Sequence, residues 1–246
     1  MTVLLLAGTG EAKRIAWGLV DTGINVVASL AGATRFPDPL PIPTRIGGFD
    51  GEAGFRAYLA EENITAVLDA THPFASRITD RTAHVCQALG IKYAHVLRPP
   101  WVAMTGDTWI EVDTPQDVAA HIPMTATVFL ATGRQTLAQY STLEGRRVLA
   151  RMIDPPTEPF PIEGGEFVIG RPPFSIQSET ALFKALGVTH LVVKNSGGSG
   201  GKPKLDAARN LGLPVMIIKR PPMPDAVRLS SVEDALLWVT ALGTRQ

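Results

Sequence analysis

The sequence predicts an α/β protein built from two Rossmann-like parallel-sheet domains with a cleft between them. Three observations carry that expectation. Short apolar runs alternate with helix-period segments along the whole chain, the first run leads straight into a glycine turn, and a helix–strand–proline module occurs twice at identical internal spacing. Strands of a parallel sheet are covered by crossover helices on both faces, so they read as continuous apolar runs rather than as alternating ones.

The first strand covers residues 3–7, and Gly8-Thr9-Gly10-Glu11 follows it before a helix over 11–21. A strand, a glycine turn and a helix start in succession present free backbone N–H groups and a positive dipole end, which suits a nucleotide phosphate. Lys13 stands where the last glycine of a G-x-G-x-x-G fingerprint belongs, so a plain tight turn stays open as the alternative. The second strand spans 25–30. NAD-type sites carry Asp or Glu near its end to hold the ribose 2′-hydroxyl, whereas this chain reads Ser29-Leu30-Ala31-Gly32-Ala33-Thr34-Arg35. With no carboxylate to repel it and Arg35 nearby, a 2′-phosphate fits better; the plain alternative for Arg35 is a solvated loop cation. Strands at 44–46, 66–70 and 93–97 and helices at 51–62 and 76–89 complete the first half. In the second half the strands are 127–131, 148–152, 167–169, 190–193 and 215–218. Helices lie near 134–141, 177–186 and 203–211, with a last one at 231–242.

The repeated module aligns residues 83–100 with 205–222 without a gap, matching Leu-Gly to Leu-Gly and Arg-Pro-Pro to Arg-Pro-Pro. Helix, glycine cap, buried strand and proline stop recur together, so two similar halves are expected. They are placed at 1–100, the dinucleotide-binding half, and at 114–246, which opens on a helix at Thr114-Pro115-Gln116-Asp117. About 101–113 is read as linker. Ligands of open parallel sheets bind outside the carboxyl ends of the strands, so the loops there are the ones that carry chemistry.

Asp69-Ala70-Thr71-His72-Pro73-Phe74-Ala75 follows the fourth strand as a dense polar cluster. His72 suits a general acid or a donor to a cofactor, while capping by Asp69 and Thr71 is the structural alternative. The matching loop of the second half runs from Lys194 through Ser196, Gly197 and Gly198 to Lys202 and Lys204. Interleaved glycines and serines flanked by lysines make an anion nest, and Pro203 after Lys202 breaks the P-loop ending, which disfavours triphosphate hydrolysis. Arg98, Arg134, Arg151, Arg171, Lys219 and Arg220 lie at comparable strand ends and together suit a substrate with several carboxylates. His84, His95, His121 and His190 have no partners at metal-ligand spacing, so no metal is expected.

Lys+Arg and Asp+Glu both total 23, so no global field selects nucleic acid or membrane. Cys86 is the single cysteine, which excludes an intrachain disulfide and fits a reducing compartment. The first strand begins by residue 3 with no room for a signal peptide, and no apolar run reaches spanning length; a cytoplasmic enzyme is expected.

Gly-Thr-Gly-Glu-Ala at 8–12, Asp-Ala-Thr-His-Pro-Phe-Ala at 69–75, Leu-Arg-Pro-Pro-Trp at 97–101 and Val-Lys-Asn-Ser-Gly-Gly at 193–198 with Lys202 together resemble the precorrin-6A reductase family of cobalamin biosynthesis. The resemblance covers the whole chain. It implies that NADPH delivers hydride to C19 of the macrocycle while C18 gains a proton, giving precorrin-6B. On this reading Gly8, Thr9, Gly10 and Glu11 serve the pyrophosphate, and Ser29 and Arg35 the 2′-phosphate. Thr71, Ser196, Gly197, Gly198 and Lys202 complete the cofactor site. Arg98, Arg134, Arg171, Lys194 and Arg220 meet the tetrapyrrole carboxylates, and His72 is the nearest proton-donor candidate. No Tyr-x-x-x-Lys occurs, since Tyr58, Tyr93 and Tyr140 are followed four residues later by Glu62, Leu97 and Glu144. From the residues alone, a non-catalytic module that senses a dinucleotide or an anionic metabolite remains the alternative.

Overall fold

The chain order in the computed structural model, which describes residues 1–32 and 38–243, begins β1 (Thr2–Leu6), α1 (Gly10–Leu19), β2 (Asn25–Leu30), β3 (Thr44–Ile46), α2 (Gly51–Glu61), β4 (Ile64–Asp69), α3 (Ser76–Leu89) and β5 (Lys92–Val96). It continues with β6 (Trp109–Val112), β7 (Thr127–Ala131), β8 (Arg147–Met152), β9 (Glu166–Ile169), α4 (Ile176–Leu186), β10 (His190–Lys194), α5 (Lys202–Leu211), β11 (Val215–Ile218), β12 (Val227–Leu229) and α6 (Val232–Gly243). Two of the predicted helices, Pro115–His121 and Arg134–Leu143, are 3₁₀ segments, the second interrupted by non-helical Tyr140.

Among the described residues these strands form two six-stranded sheets, ordered β12-β5-β4-β1-β2-β3 and β6-β11-β10-β7-β8-β9. The strand pairs are parallel. In the first sheet the chain moves outward from β1 through β2 to β3, then returns to place β4 on the other side of β1. The second sheet repeats the plan: β7, β8 and β9 run outward and β10 returns beside β7. Each sheet therefore has a switch point, β1/β4 in one and β7/β10 in the other, where successive crossovers go to opposite faces and leave a crevice at the strand ends. The three loops singled out in the sequence, after residues 7, 70 and 194, and the strand end that carries Arg134 after residue 131 lie at those points.

The chain divides into Met1–Pro99 with Pro221–Gln246 as one unit and Pro100–Arg220 as the other. This corrects the expected 114–246 boundary. Residues past Pro221 return to the first sheet, where β12 pairs with β5, Leu97 N–H donates to Leu229 O at 2.8 Å, and Val232, Ala235 and Val239 of α6 enter the core beneath β1. The expected linker 101–113 is likewise corrected, because it contains β6, paired with β11 from Val215↔Trp109 onward. The two Arg-Pro-Pro copies fall where the chain crosses between units, at Pro99/Pro100 and Arg220/Pro221. Proline ends strand pairing and stiffens the exit, so a strand stop and a crossing coincide twice.

Candidate functional site

In the first unit β1 hands over to a turn in which Gly8 has φ +125°, a conformation L side chains rarely adopt. Thr9 caps α1 by accepting from Ala12 N–H at 3.1 Å, and its hydroxyl donates to Ala70 O at 2.7 Å. One side chain thus joins the glycine turn to the loop after β4. A Cβ built on Gly8 or Gly10 would meet nothing within 4 Å, so the space beside the helix start is open. Glu11 in the first turn would repel an anion there, but Arg98 pairs with it at 2.6 Å and Arg14 lies at 3.6 Å. Arg98 therefore neutralises the one carboxylate at this helix start, leaving the α1 amides and dipole to favour an anion.

Asp69 ends β4 fully buried and accepts four hydrogen bonds. Thr71 N–H (2.9 Å) and Thr71 Oγ1 (2.7 Å) reach Oδ1, while Thr79 Oγ1 (2.8 Å) and the Tyr93 hydroxyl (3.0 Å) reach Oδ2. A buried carboxylate is tolerable only when its oxygens are satisfied in this way. Burial, and then the Asp69 charge, push the Tyr93 phenol far above its ordinary range, so it stays a donor. Thr71 directs its hydroxyl into this network. His72, on the exposed crest, accepts from Phe74 N–H through Nδ1 at 3.2 Å, so the neutral ring carries its proton on Nε2.

Ser29 is buried near the end of β2, and the partner of its hydroxyl is Arg45, whose Nη1 donates to Ser29 Oγ at 2.9 Å. Arg45 faces Ser29 across the β2–β3 ladder. Arg35, the cation expected beside Ser29, lies outside the described residues. The sequence reading missed Arg45 although it placed a strand at 44–46; lateral register was the signal available.

In the second unit the loop after β10 is braced from below. Asn195 pairs its amide with Trp101, accepting from Trp101 N–H at 2.8 Å and donating to Trp101 O at 3.0 Å. Trp101 Nε1 donates to Gly198 O at 2.8 Å, and Arg220 donates to Asn195 O (2.8 Å) and Ser196 O (3.0 Å). Gly197 and Gly198 carry positive φ, and Lys202 N–H closes the turn onto Ser199 O at 3.2 Å. Beneath, Arg151 and Glu179 form a buried two-bond ion pair, each bond 3.1 Å, with the Arg151 guanidinium over Phe174. Burial lowers the Lys194 and Lys204 ammonium groups below the ordinary lysine value. Lys204, which donates to Gly201 O at 3.3 Å, is a second residue the sequence reading left out of the site. Of the other cations, Arg171 pairs with Asp154 at 2.6 Å and Arg134 donates to Thr157 Oγ1 at 3.4 Å.

Among the described residues no group of three or more His, Cys, Asp or Glu could hold a metal ion, and no helix is long and apolar enough to cross a membrane. Cys86 is buried, and burial pushes its thiol up to about 12.

Residues 2–240 match the family described as precorrin-6x reductase CbiJ/CobK. A precorrin-6A reductase of Rhodobacter capsulatus is 42% identical over 98% of this chain and 96% of its own length. One from Rhodococcus erythropolis is 40% identical over 99% of each. Among solved structures, CobK precorrin-6A reductase superposes with a TM-score of 0.94 at 41% identity, covering 99% of this chain and 97% of that one.

Proposed function

This chain belongs to the precorrin-6x reductase family CbiJ/CobK, and from that membership we propose that it reduces the C18–C19 double bond of precorrin-6A with NADPH, giving precorrin-6B in cobalamin synthesis. It is an oxidoreductase. The observation that carries the reading is the Thr9 Oγ1–Ala70 O bond, which ties an open glycine turn to the His72 loop across the β1/β4 switch point. Open space beside Gly8 and Gly10 and a neutralised Glu11 fit a pyrophosphate on the α1 amides. Thr9 and Thr71 position the two loops, and Ser29 with Arg35 takes the adenosine 2′-phosphate.

When bound, the reduced nicotinamide supplies the hydride, and a proton to C18 completes a two-electron reduction. His72 is assigned the role of a hydrogen-bond donor through Nε2–H, while Asp69 accepts from Thr71 N–H and fixes the backbone next to it. In the second unit Ser196, Gly197, Gly198 and Lys202 are assigned to an anionic group of the cofactor. The substrate carboxylates are assigned to Lys194, Arg134, Arg220, Arg98 and Arg171. At the last two a carboxylate competes with Glu11 and Asp154. Mixing purified protein with NADPH and precorrin-6A and following the near-ultraviolet absorbance of the reduced nicotinamide tests the reading. Mole-for-mole oxidation dependent on precorrin-6A is expected; no oxidation would sink it.

A further inference from the structure

We propose that Arg45, held against Ser29, is a residue by which the first unit distinguishes a nucleotide carrying a 2′-phosphate from one carrying a free 2′-hydroxyl. The proposal rests on the reading that this unit holds NADPH.

The register places Arg45 directly beside Ser29, at the strand end where a dinucleotide site meets the adenosine ribose. Arg45 Nη1 donates to Ser29 Oγ at 2.9 Å and to Gly47 O at 3.0 Å, and Nη2 donates to Gly48 O at 2.7 Å. A guanidinium has five N–H donors, so Nε–H and one Nη2 hydrogen are left over from those three bonds. Ser29 uses its oxygen as acceptor here, so its hydroxyl hydrogen is also available. The pair offers a phosphate one O–H and two N–H donors with a positive charge behind them, a set that matches phosphate oxygens far better than it matches a neutral hydroxyl.

The guanidinium is also held in place before any ligand arrives. It lies over the Phe49 ring at 4.0 Å, with the Tyr58 ring at 5.1 Å, and two glycine carbonyls fix its plane. A cation already ordered on an aromatic face loses little side-chain entropy on meeting its anion. Gly47, with φ +124°, shapes the turn that brings its own carbonyl back to Arg45.

Calorimetric affinities for 2′,5′-ADP and 5′-AMP test this without the reaction. The unaltered protein is expected to prefer 2′,5′-ADP. Arg45→Met keeps the stem on Phe49 and removes the charge; it should weaken 2′,5′-ADP about 10- to 100-fold, as expected for loss of a charge-assisted contact, and change 5′-AMP less than about threefold. Arg45→Lys should fall between, since it keeps the charge and loses the fork. If Arg45→Met discriminates as well as the unaltered protein, or weakens both nucleotides equally, the proposal is overturned while the NADPH reading stands. If the unaltered protein binds the two nucleotides equally, the NADPH reading itself falls, and the proposal with it.

Discussion

At the scale of single residues, the first unit's site depends on a few side chains whose partners, Asp69's own Thr71 apart, come from elsewhere in the chain. Thr9 reaches Ala70, Glu11 reaches Arg98, and Asp69 gathers Thr71, Thr79 and Tyr93. Gly10 contributes by lacking a side chain. Because a Cβ there meets no protein atom within 4 Å, Gly10→Val should leave thermal stability nearly unchanged and fill the space a pyrophosphate needs. NADPH affinity measured by fluorescence titration should fall tenfold or more, about 1.4 kcal/mol. Unchanged affinity in a folded variant would remove this turn from the site. His72 is expected to act through its Nε2–H as a hydrogen-bond donor, since Nδ1 accepts from Phe74 N–H. General acid catalysis is typically worth 10²–10⁴-fold, so His72→Ala should lower kcat by less than about 100-fold. A loss near a thousandfold with KM values retained would instead make His72 the proton donor to C18.

At the scale of elements, the glycine-rich loop between β10 and α5 is less free than its composition suggests. Four glycines between Ser196 and Lys202 predict mobility, yet Asn195, Trp101 and Arg220 hold its first half through five hydrogen bonds. Trp101 and Arg220 come from the crossing segments at the two ends of the unit, which no local pattern announces. Lys204, one turn into α5, gives the loop a pH signature. Burial lowers its pKa from the ordinary 10.5, with Glu179 opposing and Arg151 reinforcing the shift. Between the lowered value and 10.5 the unfolded chain binds more protons than the folded one, so stability should rise with pH across that window. An anion beside Lys204 favours its protonated form, so affinity for a polycarboxylate such as citrate should fall as pH rises through the same window. Lys204→Met should flatten both slopes, the remainder belonging to Lys194, which burial shifts the same way. Retention of the full citrate slope in that variant would place the anion elsewhere.

At the scale of the whole molecule, the two units differ in how the chain builds them. Pro100–Arg220 is continuous, whereas the first unit is closed by a segment from the far end of the chain. Leu229, Val232, Ala235 and Val239 all belong to the core beneath β1. Burying a large aliphatic side chain contributes about 1.5–3 kcal/mol, so losing this set removes much of the roughly 5–15 kcal/mol a domain has. A fragment of residues 1–99 should therefore show no cooperative unfolding transition in urea, while a fragment of 100–220 should show one. Cooperative unfolding of 1–99 alone would mean that α6 decorates the sheet and does not complete it. The alternation of strands and helices, the glycine turn after β1, the polar loop after β4 and the glycine loop after β10 were all determined by the sequence itself. They follow from hydrophobic period and turn chemistry, which act over a few residues. Two short edge strands, Trp109–Val112 and Val227–Leu229, carry too few residues for a period to show, and only pairing with β11 and β5 made them strands. The tertiary structure alone decided that the chain returns to its first sheet, that Glu11 takes Arg98 and that Ser29 meets Arg45, because each joins groups that sequence distance keeps apart and only sheet register and packing bring within hydrogen-bond reach.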